Sequence, residues 1–268
     1  MIQYVYCGNF PTRKVMDRMR EKEVPLIATP IVNPLFYVLT ATSVLCAFLI
    51  VIRANQLEYV QYRFLLWNLF LAWLPLAVSM TALAFIRVTR RRSTLTVGLV
   101  VLGVAWLLLY PNAPYLTTDF IHLIFSNRYR IYNREDDLLV WYDLVLFFLF
   151  SWCGLLLGYL SMRHFHAIVS YYSNVFAGWI FILVVSFLGG FGVYLGRVVR
   201  LNSWDVLSPF RLIEGVIEGI NRRAFIFTML FGIFILIIYL SLYVLGNHRN
   251  RYAMTSRSFG EAYPKEGP

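Results

Sequence analysis

Six long runs of apolar residues constrain the fold of this chain more than any other feature of its sequence. They extend over residues 33–52, 64–86, 95–110, 144–162, 175–195 and 224–245. About 20 consecutive apolar residues are enough to cross the hydrocarbon core of a bilayer as a helix. Only 14% of the residues are charged, whereas soluble domains contain roughly a quarter. The sequence therefore predicts an all-α fold, a polytopic membrane helix bundle with about six transmembrane helices and short re-entrant or interfacial helices.

The apolar runs divide the chain into three parts. Residues 1–32 form a basic N-terminal tail, residues 33–245 the membrane bundle, and residues 246–268 a polar C-terminal tail. The basic residues of the N-terminal tail come well before the first run, and no small-residue cleavage site follows that run. We therefore expect no cleavable signal peptide. We expect instead a short basic helix that lies near anionic lipid, so the bilayer itself is a partner.

The distribution of basic residues predicts how the chain is threaded. The net charge is +10, but the Lys and Arg residues lie between apolar runs rather than on one folded surface. We therefore expect no nucleic-acid binding. The side of the membrane that holds both termini carries 14 Lys and Arg residues, and the other side carries 10. Because cytoplasmic segments are enriched in Lys and Arg, both tails are predicted to be cytoplasmic in a multi-pass protein of the cell membrane.

The stretch YPNAPYLTTDFIHLIF, residues 110–125, interrupts the third apolar run with two prolines and several polar residues. Asn112 is suited to cap a new helix that has Pro114 in its first turn. At helical periodicity, the polar residues that follow fall on one narrow stripe of the helix: Tyr115, Thr118, Asp119, His122 and Ser126. Asp119 and His122 are three residues apart and are therefore neighbours on this stripe.

Two further polar segments are predicted on the same side of the membrane. Asp143 lies where the fourth run begins, and it either caps that helix or belongs to a site. Arg197 and Arg200 close the fifth run three residues apart, so both side chains can point the same way. A polar turn with Asn202, Trp204 and Asp205 follows. The alternative for this segment is that both arginines interact with the helix C-terminus and reach the interface, with Asn202 near the C-cap.

Together the three segments form one candidate site at the extracytoplasmic face. The candidate catalytic residues are Asp119, His122, Asp143 and Asp205. The candidate ligand-binding residues are Asn112, Tyr115, Arg197, Arg200, Asn202 and Trp204. The sequence points to no particular cofactor, and a single His is few for a zinc site. Inside the spans Asn68 is the strongest polar residue, and an interhelical hydrogen bond would explain it equally well.

Three blocks of the sequence, YPNAPYLTTDFIHL, WYDL and GRVVRLNSWD, resemble the signature blocks of an uncharacterised family. It is a bacterial family of multi-pass membrane proteins, catalogued as domain of unknown function 1361. The resemblance runs from about the third helix to the end of the fifth. It implies a location and an architecture, and it carries no biochemical activity.

Three functions remain open at this point. The first is a non-catalytic accessory, assembly or envelope-maintenance protein whose polar blocks hold the outer ends of the helices together. The second is a membrane enzyme that acts on a lipid or cell-envelope substrate, with Asp119 and His122 as an acid–base pair or as metal ligands and Arg197 and Arg200 holding an anionic group. The third is a transporter, which the broken third helix favours and the lack of a polar pathway opposes.

Overall fold

The computed structural model describes residues 34–55, 62–124, 137–200, 219 and 221–262. Within these residues the chain is helical and contains no strand. The helices are α1 (Pro34–Asn55), α2 (Arg63–Val88), α3 (Arg92–Leu109), α4 (Asn112–Tyr115), α5 (Ile121–Ile124), α6 (Asp137–Tyr172), α7 (Val175–Tyr194) and α8 (Arg222–Ala262). A short 3-10 helix, Leu116–Phe120, joins α4 to α5, and a π-helical turn, Leu195–Val199, extends α7.

Six segments are long and apolar enough to cross a membrane, which confirms the predicted helix bundle. They are Pro34–Ala54, Arg63–Val88, Arg92–Leu123, Leu138–Tyr172, Val175–Val199 and Arg222–Gly246. Each of them exposes large apolar side chains, such as Phe48, Phe70 and Ile237. Apolar surface of this extent is stable when lipid tails surround it.

The ends of the spans define two faces of the bundle, because consecutive spans run in opposite directions. The end of α1, the start of α2, the end of α5 and the start of α6 lie on one face, which we call the Asp119 face. The turn after α7 and the start of α8 lie on the same face. The other face, which we call the opposite face, carries the short connections 89–91 and 173–174 and the end of the sixth span at Gly246.

The third span continues through the predicted break. The cap expected at Asn112 is wrong: the residue in the N-cap position of α4 is Pro111, it has helical dihedral angles, and no side chain caps the helix. The amide of Tyr110 still bonds the Trp106 carbonyl at 2.7 Å, and that of Ala113 bonds the Tyr110 carbonyl at 3.1 Å. The fixed φ of proline is compatible with a helix, and Pro111 and Pro114 each lack a backbone donor, yet Arg92–Leu123 remains one span. The short helices therefore extend the span.

The fourth span is longer than its apolar run suggested. The sequence predicted residues 144–162, whereas α6 extends over Asp137–Tyr172. Asp143 therefore lies inside the helix rather than at its cap. Three basic side chains that follow the apolar run, Arg163, His164 and His166, also lie within α6. Arg163 is half-buried and both histidines are buried, so the helix places polar groups inside the bundle near the opposite face.

Glycine and alanine residues hold the third span against α6 in the centre of the bundle. A Cβ atom on Gly154 would come within 2.5 Å of the Ala113 carbonyl oxygen, and one on Gly158 within 3.3 Å of Ala113 Cβ. Small residues let membrane helices approach in this way. The Ser151 hydroxyl donates to the Leu116 carbonyl at 3.0 Å and fixes the 3-10 helix to α6. The irregular segment is therefore packed inside protein, where exposed backbone groups find partners.

Candidate functional site

Asp119 is the centre of a polar cluster at the Asp119 face. Its side chain is 1% exposed. One carboxylate oxygen accepts a hydrogen bond from Asn68 Nδ2 at 2.9 Å, and the other accepts one from Arg197 Nη2. Asn68 lies on α2, Asp119 on the 3-10 helix and Arg197 on the turn after α7. The carboxylate therefore joins the second, third and fifth spans.

The guanidinium of Arg197 lies against the predicted polar stripe. Besides its ion pair with Asp119, Arg197 donates from Nε to Thr118 Oγ1 at 2.8 Å. Its Nη1 lies 3.3 Å from His122 Nε2, and its Cζ lies 4.4 Å from the centre of the Tyr115 ring. A planar guanidinium with several fixed donors suits such simultaneous contacts. Four residues of the stripe thus share Arg197 as their basic partner. We call the group formed by Asn68, Tyr115, Thr118, Asp119, His122 and Arg197 the Asp119 cluster.

The contact with Arg197 determines which ring nitrogen of His122 carries the proton. An arginine side chain can only donate, so His122 Nε2 is the acceptor and the ring carries its proton on Nδ1. The His122 ring packs on Phe64 with 4.7 Å between ring centres. In contrast to Asp119, the His122 side chain is exposed. It is therefore the member of the cluster that an external molecule can reach.

Local backbone structure sets the shape of this cluster. The hydroxyl of Thr118 donates to the Tyr115 carbonyl at 2.6 Å, which leaves its lone pairs directed at Arg197. The 3-10 turn brings residues three apart into line, so Tyr115 and Thr118 lie on the same side. On the facing span, the π-helical turn Leu195–Val199 carries Arg197, and Arg200 ends that span with a left-handed φ of 66°.

Asp143 belongs to a second polar cluster at the same face. Arg53 donates to its two carboxylate oxygens from Nε at 2.6 Å and from Nη2 at 2.9 Å. Tyr62 adds a hydrogen bond from its hydroxyl at 3.0 Å. All three side chains are buried. We call this the Asp143 cluster, and it joins the first, second and fourth spans.

Aromatic rings separate the two clusters. Tyr62 packs edge-on against Phe147 with 5.2 Å between ring centres, and Phe147 lies 6.2 Å from Phe120. The sequence hypothesis placed Asp119, His122 and Asp143 in a single site. The structure divides them between two clusters that share a face.

The other candidate residues have different outcomes. Asn202, Trp204 and Asp205 lie outside the described residues. Arg200 is exposed, and in the described part of the chain no hydrogen bond links it to the Asp119 cluster. Within residues 34–55, 62–124, 137–200 and 221–262, no three His, Cys, Asp or Glu side chains form a group that could hold a metal ion. Asp119 and His122 alone would supply two protein ligands.

The sequence hypothesis missed four polar residues that the bundle buries. Arg53 and Tyr62 were assigned to a loop, although they complete the Asp143 cluster. His164 Nδ1 lies 2.9 Å from Ser79 Oγ, and His166 Nδ1 lies 2.6 Å from Tyr239 Oη. Apolar residues continue past residue 162 at helical spacing, and Met162, Phe165 and Ile168 are all buried. That periodicity is a signal by which the two histidines could have been placed inside α6.

Comparison with known proteins agrees with the resemblance of the signature blocks. A family model described as "Protein of unknown function (DUF1361)" matches residues 67–238. The matched range is more than half of the chain and contains every member of the Asp119 cluster. No curated protein and no solved structure matches the chain.

Proposed function

The chain belongs to the DUF1361 family, whose function is unknown, and we propose that it is a non-catalytic component of the cell membrane. Its role in this proposal is that of an accessory or envelope-maintenance protein. The Asp119 and Asp143 clusters hold the extracytoplasmic ends of the spans together. They connect the first five spans, since Arg53, Asn68, Asp119, Asp143 and Arg197 lie on successive ones. A rigid outer end suits a protein that presents a fixed surface to a partner.

The observation that carries this proposal is the burial of the Asp119 carboxylate. The side chain is 1% exposed, and each of its oxygens accepts a hydrogen bond from a neighbouring span. A general acid or base must come within hydrogen-bonding distance of its substrate. A carboxylate enclosed in this way instead stabilises the arrangement of the helices, and removal of one member of a buried ion pair typically costs about 3–5 kcal/mol.

The ion pairs also support the proposed threading, with both termini in the cytoplasm. Two of the 10 basic residues on the Asp119 face, Arg53 and Arg197, bind buried aspartates. Their charge is used inside the protein, so they say little about which side of the membrane they face. The remaining bias, eight basic residues against 14, favours the opposite face as the cytoplasmic one.

The test of the proposal is whether the Asp119 cluster stabilises the fold. We expect Asp119→Asn and Arg197→Gln to lower the yield of monodisperse protein in detergent and its melting temperature. Arg222→Gln is the matched control, because Arg222 is an exposed basic residue on the same face. If Asp119→Asn folds as well as the wild type and only a cellular phenotype is lost, the proposal is wrong and a chemical role gains support.

A membrane enzyme is the second candidate, and the exposure of His122 favours it. The ring lies beside the Arg197 guanidinium, which could hold a phosphate or carboxylate. Vesicles of native lipid that contain either wild-type protein or His122→Ala would be compared by lipid mass spectrometry. A lipid product that depends on His122, with unchanged folding of the variant, would support an enzyme. A transporter was suggested by a broken third span, and the third span continues through the predicted break.

A further inference from the structure

An apolar groove opens between the third, fourth and sixth spans, away from both polar clusters. Its walls include Tyr110, Leu155, Gly158, Tyr159, Ile238 and Tyr239. These residues all belong to segments that are long and apolar enough to cross a membrane. The medium beside the groove is therefore hydrocarbon, and lipid acyl chains meet its partly exposed walls, Leu155 and Ile238.

A basic side chain stands at the end of this groove. Arg163 lies one helical turn beyond Tyr159 and donates from Nη1 to the Tyr159 hydroxyl at 3.0 Å. Tyr159 in turn donates to the Leu242 carbonyl of the sixth span at 3.2 Å. A Cβ atom on Gly246 would lie 3.0 Å from Arg163 Nη1. Because Arg163 directly follows the apolar run of residues 144–162, the guanidinium lies near the lipid headgroups on the opposite face.

The surroundings of the Arg163 guanidinium differ from those of the Arg53 and Arg197 guanidinium groups. Each of the latter two binds an aspartate. Arg163, by contrast, forms no ion pair with any of the described residues. Its side chain is half-buried. An arginine has five N–H donors, so the hydrogen bond to Tyr159 leaves donors that can bind phosphate oxygens in pairs.

We propose that this groove binds one anionic phospholipid from the leaflet on the opposite face. An acyl chain lies along Leu155, Gly158 and Ile238, and the phosphate lies on Arg163. Tyr159 sets the orientation of the guanidinium. The site is independent of the Asp119 cluster and of the role proposed for it.

The test uses full-length protein in nanodiscs that contain equal amounts of phosphatidylglycerol and phosphatidylcholine. Native mass spectrometry after stepwise delipidation counts the lipids that remain bound. We expect one phosphatidylglycerol to be retained about fivefold more than phosphatidylcholine, as one basic residue beside an anionic headgroup would produce. Arg163→Gln should abolish this preference, Arg163→Lys should keep much of it, and Leu155→Trp should reduce retention of both lipids by filling the groove.

The matched control is Arg90→Gln, which removes an exposed basic residue from the same face. It should leave the retained lipid unchanged. Equal retention of the two lipids by the wild type overturns the proposal. So does a preference that survives Arg163→Gln, or one that Arg90→Gln removes to the same extent. If Arg163→Gln does not fold, unchanged retention in Leu155→Trp overturns it.

Discussion

Arg53 and Asp143 lie 90 residues apart in the chain and form a two-fold hydrogen-bonded ion pair, at 2.6 and 2.9 Å, inside the bundle. The Asp143 side chain is fully buried and that of Arg53 is 5% exposed. Two opposite charges in so dry a place compensate each other's lost hydration. The pair therefore ties the end of the first span to the start of the fourth.

The first prediction concerns the loss of one partner of this pair. Arg53→Met leaves the Asp143 carboxylate buried beside the Tyr62 hydroxyl, without the guanidinium that neutralises it. We expect a loss of about 3 kcal/mol in the free energy of unfolding, since an uncompensated buried charge is strongly destabilising. Asp143→Leu should cost a similar amount. Thermal unfolding in detergent, followed by the loss of monodisperse protein, measures both variants.

The double variant Arg53→Met with Asp143→Leu is the internal control. Apolar residues of similar volume often replace a buried ion pair without loss of stability. We therefore expect the double variant to be more stable than either single variant. Additive losses would contradict this account and would mean that each side chain stabilises the bundle through other contacts.

The second prediction concerns the hydroxyl of Thr118. Thr118→Val keeps the shape of the side chain but removes the acceptor that lies 2.8 Å from Arg197 Nε. A buried donor without its partner typically costs about 1–3 kcal/mol. We expect a lower melting temperature for Thr118→Val and a nearly unchanged one for Thr118→Ser, which keeps the hydroxyl. Equal melting temperatures of the two variants would show that the contact contributes nothing measurable.

The third prediction concerns the contact between α7 and α8. A Cβ atom on Gly190 would lie 2.7 Å from the backbone nitrogen of Gly232 and 2.9 Å from the Thr228 carbonyl oxygen. Backbone atoms cannot rotate away, so Gly190→Ala should force the two helices apart and lower the folded yield. Gly103→Ala is the control, because its new methyl group would meet only the Phe165 ring at 3.7 Å. A similar loss in both variants would show that the effect does not depend on the close contact between Gly190 and α8, since helix propensity alone favours Ala over Gly.

The sequence was sufficient for the spans and for the polar stripe, for physical reasons. A membrane span is recognised by its length and hydrophobicity, and both properties can be read from the local sequence. The stripe depends only on the spacing of residues along one helix, so Tyr115, Thr118, Asp119 and His122 could be grouped before the structure was known. Their common partner, Arg197, was among the candidates, and an interhelical hydrogen bond was one of the two interpretations of Asn68. The structure shows both contacts.

The division into two clusters could not be predicted in the same way. Which aspartate meets which arginine depends on how the spans are arranged around one another, and helix periodicity contains no information on that arrangement. Asp143 was therefore grouped with Asp119, although Arg53 binds it. The cap at Asn112 failed for a local reason. A proline compatible with helical geometry does not oblige the chain to restart, and Pro111 continues the helix.

The last prediction concerns the side of the membrane on which the polar clusters lie. Arg222 is exposed on the Asp119 face and Arg90 is exposed on the opposite face. With both termini in the cytoplasm, Arg222→Cys should react with a membrane-impermeant maleimide on intact cells. Arg90→Cys should react only after the cells are permeabilised. A Cys7→Ser background removes one competing thiol, and Cys46 and Cys153 are buried.

Each outcome of this labelling experiment has a structural consequence. Reaction of Arg222→Cys on intact cells places His122, the exposed member of the Asp119 cluster, where an envelope molecule could reach it. The reverse pattern would turn the Asp119 cluster toward the cytoplasm and would contradict an envelope-facing role. In that case the distribution of basic residues would have predicted the wrong topology. Arg53 and Arg197 do not report the topology, because they bind Asp143 and Asp119 whichever side they face. Labelling at both positions on intact cells would indicate leaky membranes, which an unlabelled cytoplasmic marker protein excludes.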